Sequence, residues 1–169
     1  MKKSVIIILI ITILLMLVGC NKNYDNSLVL TEPPIVSVEY EENIIDALRG
    51  GYSWTVINKD GTAKATIADS AHTLQSENVT PVITKNNDNF VKLKFEVEPQ
   101  SVYVRAWSDK YWDDVDNGEK NTIEVLVEDN TINLLDDESG VIYEVQATWE
   151  LEGYYKGSSL YSFYVKNSD

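Results

Sequence analysis

Cysteine is almost missing: 169 residues hold one, Cys20. A lone thiol excludes an internal disulfide, so a domain built from this chain must be held by its core alone. Histidine is equally scarce, with His72 the only one. One imidazole and one thiol cannot make a four-ligand zinc cage. Basic residues are few: 14 Lys plus Arg stand against 27 Asp plus Glu, for a net charge of −13. That balance argues against nucleic acid, whose phosphates are bound by Lys and Arg, and against lying flat on anionic lipid. No apolar run reaches the ~20 residues a membrane-spanning helix needs. Internal repeats, low-complexity segments and a GxSxG nucleophile elbow are absent as well.

What is present suits a globular β domain. Apolar residues make up 44% and charged residues 24%, a balance that supports a packed core. Ten Tyr, four Trp and three Phe join many Val, Ile and Thr, the residue types that suit a pleated, half-buried surface. The length allows one domain plus a tail, and about 130 residues can bury a sufficient core.

The N-terminus reads MKKSVIIILIITILLMLVGC. Lys2 and Lys3 form a positive n-region. The apolar run Val5–Val18 is interrupted only by Thr12, and Gly19 then precedes Cys20. A run this short is a signal-peptide core rather than a span. The LVGC tetrapeptide resembles a bacterial lipobox, the cleavage and acylation site of lipoproteins, with Val18 a mild departure at its second position. The resemblance implies a leader over residues 1–19 and a diacylglyceryl group on the Cys20 sulfur. It places the mature protein on the extracytoplasmic face of the cell membrane, anchored by lipid. Two acyl chains hold stably where one is marginal. Loss of residues 1–19 removes two lysines and no acid, so 12 bases against 27 acids leave a mature charge of −15. Residues 20–34, CNKNYDNSLVLTEPP, read as a flexible tether stiffened by Pro33-Pro34, ahead of a single domain over residues 35–169.

Beyond Pro34 the period is two. Val91, Leu93, Phe95 and Val97 alternate with Lys92, Lys94, Glu96 and Glu98. Tyr143, Val145, Ala147, Trp149 and Leu151 alternate with Glu144, Gln146, Thr148, Glu150 and Glu152, and Tyr161, Phe163 and Val165 repeat the pattern. Ile123, Val125 and Val127 do the same. Such alternation marks strands with one buried face. Lys59-Asp60-Gly61 reads as a hairpin turn; Pro99-Gln100, Asn117-Gly118 and Ser139-Gly140 read as breaks or loops. About nine strands are expected, arranged as a sandwich or barrel. Glu42–Arg49, ended by Gly50-Gly51, is the single helical candidate.

DDESGVIYEVQATW resembles the entry to the sixth strand of immunoglobulin-like and fibronectin-type domains. That resemblance implies an all-β, immunoglobulin-like antiparallel β-sandwich, with Tyr143 in the tyrosine-corner role and Trp107 as the core tryptophan of the third strand. GGYSW, IADSAHTLQ and VRAWSDKYW are similar to stretches of uncharacterised surface lipoproteins of Gram-positive bacteria.

Asp69-Ser70-Ala71-His72 raises a hydrolase, since His72 is the one ordinary general base. Neighbours in one short loop point apart, however, and a triad must converge. Asp113, Asn117, Gly118 and Glu124 fit positions 1, 5, 6 and 12 of a calcium loop, whereas Val115 spoils position 3; they are weak calcium candidates in an acidic loop. Tyr154 and Tyr155 are expected at the tip of the last hairpin, and Tyr111-Trp112 in another loop, where aromatic rings could contact a ligand. The sequence therefore favours a non-catalytic binding or interaction module, with a cell-wall glycan or surface protein as partner and no cofactor implied. An accessory partner of a membrane protein is the alternative, ahead of a calcium-binding domain or an enzyme.

Overall fold

A computed structural model of the chain describes residues 29–168. The expected leader, the expected lipidation site Cys20 and the first part of the expected tether lie outside the described residues. Twelve strands occur in the order β1 (Val36–Tyr40), β2 (Asn43–Asp46), β3 (Leu48–Ile57), β4 (Ala63–Ala68), β5 (Val82–Lys85), β6 (Phe90–Phe95), β7 (Ser101–Ser108), β8 (Ile123–Val125), β9 (Val127–Glu128), β10 (Thr131–Asn133), β11 (Gly140–Leu151) and β12 (Tyr155–Asn167). They form an all-β sandwich. The smaller sheet runs β2-β1-β6-β10-β9; the larger runs β4-β3-β12-β11-β7-β8, with β5 added parallel to the end of β12.

The period-two segments fold as their pattern dictates. Val91 and Leu93 in β6, and Tyr143, Val145, Ala147 and Trp149 in β11, turn inward and are buried. Tyr161, Phe163 and Val165 of β12 complete the same core. Its largest rings interlock, with Tyr143 stacked on Phe163 at 5.0 Å between centroids and Trp54 edge-on to Trp149 at 5.9 Å. Tyr143 also accepts a hydrogen bond at its hydroxyl from the Leu135 amide, 2.7 Å away. Burial pushes the Tyr143 and Tyr161 phenols up to about 12. The β3–β4 hairpin turns where Lys59-Asp60-Gly61 places it, with Gly61 at φ 82° and Asp60 accepting from both the amide and the hydroxyl of Thr62.

Four expectations need correction. Glu42–Arg49 is not helical: Glu41-Glu42 make a two-residue turn, and residues 43–46 pair back on β1 with Tyr40 opposite Asn43. Tertiary pairing overrides the weak local helix signal there. Asn117-Gly118 lies within a short helix, Val115–Lys120, instead of in a loop. The single strand expected over Ile123–Val127 breaks at Leu126; its first half pairs with β7 in the larger sheet and its second with β10 in the smaller. Trp107 does not enter the sandwich core. Val104 and Ala106 take the inward positions of β7, and Trp107 points to the outer face of the larger sheet.

Residues 29–34, assigned by sequence to the tether, lie against the sandwich. The Leu30 carbonyl accepts from Trp54 Nε1 at 3.0 Å, the Pro33 carbonyl from Arg49 Nη1 at 3.0 Å, and the Pro34 carbonyl from the Tyr161 hydroxyl at 2.6 Å. No described helix is long and apolar enough to cross a membrane.

Candidate functional site

The outer face of the larger sheet carries a second, smaller core. Trp107 on β7 stands opposite Ile142 on β11, which stands opposite Tyr164 on β12. Leu74, from the one-turn helix Thr73–Gln75, closes over them, and Tyr111, Trp112 and Val115 pack at the rim. Two long connections thus cover this half of the face: residues 69–80, between β4 and β5, and residues 109–122, between β7 and β8. Gly118 permits their contact, because a Cβ there would lie 2.2 Å from Leu74 Cδ1.

A chain of charged groups ties the cover to the sheet. Glu144 on β11 is 3% exposed. One carboxylate oxygen accepts from Arg105 Nε at 2.7 Å, and the other from the Thr73 hydroxyl. Arg105, paired opposite Glu144 on β7, also reaches Glu119 of the short helix at 3.3 Å. Glu119 in turn meets His72 Nε2 at 2.9 Å. His72 Nδ1 accepts from the Leu74 amide at 3.1 Å, so the proton of a neutral ring sits on Nε2 and donates to Glu119. The Arg105 guanidinium rests 4.9 Å over the Trp107 ring, and the His72 ring meets the same indole edge-on at 5.9 Å. Beside them, Asp109 accepts from the hydroxyls of Tyr164 at 2.7 Å and Ser139 at 2.6 Å. Burial, followed by Asp109, raises the Tyr164 phenol.

The geometry is that of a clamp. Glu144 and Glu119 share the Arg105 cation, and both ring nitrogens of His72 are engaged. Asp69-Ser70-Ala71-His72 does not assemble a triad: the Ser70 hydroxyl bonds the Ala71 carbonyl while His72 turns to Glu119.

The aromatic candidates separate. Tyr155 is 6% exposed and stacks on Trp54 at 5.4 Å, turned into the core from the first position of β12. Tyr154, in the turn before it, is half-buried and packs against the same core. Tyr111 and Trp112 rim the outer-face cluster, with Trp112 edge-on to Tyr164 at 5.8 Å and the Lys110 ammonium over Tyr111. The calcium candidates do not converge either. Asp113 sits at a positive φ of 60°, Asn117 bonds the Asp114 carboxylate, and Glu124 lies on β8 opposite Arg105. Among the described residues no three His, Cys, Asp or Glu side chains are grouped to hold a metal ion.

A cleft of about 300 Å³ opens at one seam of the sandwich, between β2 and β5. Val38, Ile45 and Ile83 are its apolar floor; Asn43, Thr84 and Asn86 are its polar rim. The Tyr40 hydroxyl closes one end, accepting from the Asn86 amide at 2.7 Å and donating to the Asp88 carbonyl at 3.1 Å. No lining side chain is charged.

Sequence reasoning missed both the clamp and the cleft. Glu144 looks like any wet-face residue of an alternating strand, and Arg105 like its neighbour. The one available signal was the concentration of Trp107, Tyr111 and Trp112 within six positions, too many rings for an uncovered loop. Comparison of the chain with protein-family models, curated proteins and solved structures finds no match.

Proposed function

We propose that the protein is a lipid-anchored, extracytoplasmic β-sandwich that works by binding, not by catalysis. The observation that carries the reading is the placement of the chain's sole cysteine: Cys20 ends an LVGC tetrapeptide directly after a basic start and a short apolar run. Two acyl chains on its sulfur would hold the domain at the membrane surface.

Metabolic labelling with a fatty acid, followed by membrane fractionation, tests the anchor. The intact chain carries label into the membrane fraction, and Cys20→Ser loses both label and membrane association. Labelling that persists in Cys20→Ser refutes the reading.

Of the surfaces described, the seam cleft best supports a ligand. Its uncharged lining, in a chain of mature charge −15, suits a neutral molecule with hydroxyl or amide groups such as a wall glycan. Titration with neutral N-acetylated amino-sugar oligomers should shift the amide signals of Asn43, Thr84 and Asn86. No shift at any of the three removes the glycan as a ligand of this cleft.

A further inference from the structure

The first described residues fix the end at which the chain enters the sandwich. The Leu30 carbonyl is held by Trp54, which stands opposite Gly157 near the start of β12; the Pro34 carbonyl is held by Tyr161, four positions further along that strand. Residues 30–34 therefore run parallel to β12, away from the β11–β12 turn, and β1 continues that course. Its end, Tyr40, meets Asn86 and Asp88, just past β5, whose last residue lies opposite Asn167 at the end of β12. The chain upstream of Val29 thus emerges beside the turn Glu152–Tyr154 and the β3–β4 turn, level with about Lys156.

From these placements we infer that the sandwich stands on the membrane with the β11–β12 turn toward the lipid and the Glu41-Glu42 turn and residues 136–139 outward. The inference rests on lipidation at Cys20. Nine residue steps separate Cys20 from Val29, a reach of at most about 32 Å even fully extended. The eleven steps of β12 from Lys156 to Asn167 span about 36 Å at strand rise, before the outer loops are added. An inverted domain would need its entry point higher above the bilayer than the connection can reach. A domain lying on its side would press a body of charge −15 onto anionic headgroups, which repel it. The upright posture meets both constraints. It turns Tyr154 toward the membrane and opens the seam cleft, lined by β2 and the distal strand β5, toward the cell exterior.

The test uses the full lipidated chain in vesicles containing anionic lipid. Because the acylated Cys20 leaves no other thiol, Glu152→Cys and Glu42→Cys, both exposed turn positions, each accept one fluorescent dye. Energy transfer to headgroup acceptors should be several-fold stronger from position 152 than from position 42. Equal or reversed transfer in protein that sediments with the vesicles overturns the posture while leaving the anchor standing. Protein that carries no fatty acid and does not sediment overturns the anchor, and the posture falls with it.

Discussion

Replacing Arg105 with Met should cost about 3 kcal/mol of folding stability. Met keeps much of the aliphatic stem over Trp107 and removes the guanidinium, so the loss isolates the charge. The Glu144 side chain is 3% exposed and that of Arg105 26%. Without Arg105, Glu144 keeps only the Thr73 hydroxyl. Stranding one member of a buried pair costs ~3–5 kcal/mol, whereas an exposed pair is worth ~0–1 kcal/mol. Water reaches the partly exposed Arg105 position, which sets the expectation at the low end of the buried range. Glu119 adds little to this sum, since it is 42% exposed. With a urea m-value of about 2 kcal/mol/M for a domain of this size, the unfolding midpoint should fall by ~1.5 M. Glu144→Gln alone should cost about 1–2 kcal/mol, for one weakened charge-assisted bond. The double variant should be less damaged than Arg105→Met, because no charge is stranded, giving a coupling of at least ~1 kcal/mol in the cycle. A cost below ~1 kcal/mol for Arg105→Met, or strictly additive losses, would show the clamp to be an ordinary surface pair.

Other outcomes follow from the same geometry. Gly118→Ala should destabilise by about 1–3 kcal/mol through overpacking against Leu74, and should add less than its full cost in a Leu74→Ala background, where its methyl fills vacated space; full additivity in thermal melts would place Gly118 away from Leu74. Burial raises Tyr143 and Tyr161 to about 12 against ~10 for an unfolded tyrosine. The folded state therefore holds protons that the unfolded state releases, and the stabilisation is whole below pH 10 and lost between pH 10 and 12, by about 3 kcal/mol per tyrosine. Tyr161→Phe should lose less stability than the parent between pH 9 and pH 11.5 by urea titration, and an equal loss would contradict the assignment. Tyr155→Ala should cost ~3–5 kcal/mol as a buried aromatic deletion, with Tyr154→Ala well below it; the reverse order would restore Tyr155 to the surface.

The fold was largely legible because its longest strands obey one simple rule. β6, β11 from Tyr143 onward and the Tyr161–Val165 part of β12 alternate apolar and polar residues closely enough to be read, and the Lys59-Asp60-Gly61 turn has the residues a hairpin requires. Alternation states which residues share a face; it is silent on what lies over that face. Glu144, Ile142 and Trp107 share the outer face of the larger sheet, and only contacts from residues 69–80 and 109–122 bury them. Such contacts join residues as far apart as Thr73 and Glu144, and no local pattern encodes them. The same lack of local signal hid the crossing at Leu126, where one alternating run serves two sheets. Tyr155 was misplaced for a narrower reason: the turn is only three residues, Glu152–Tyr154, so the second tyrosine already belongs to β12.

The central claim, that this sandwich hangs from the membrane by an acylated Cys20, is tested most directly by intact-mass analysis of the protein extracted from membranes. A mature chain beginning at Cys20, with residues 1–19 gone and a diacylglyceryl mass on the sulfur, is the predicted species. Protein that retains Met1–Gly19 with an unmodified thiol would contradict it.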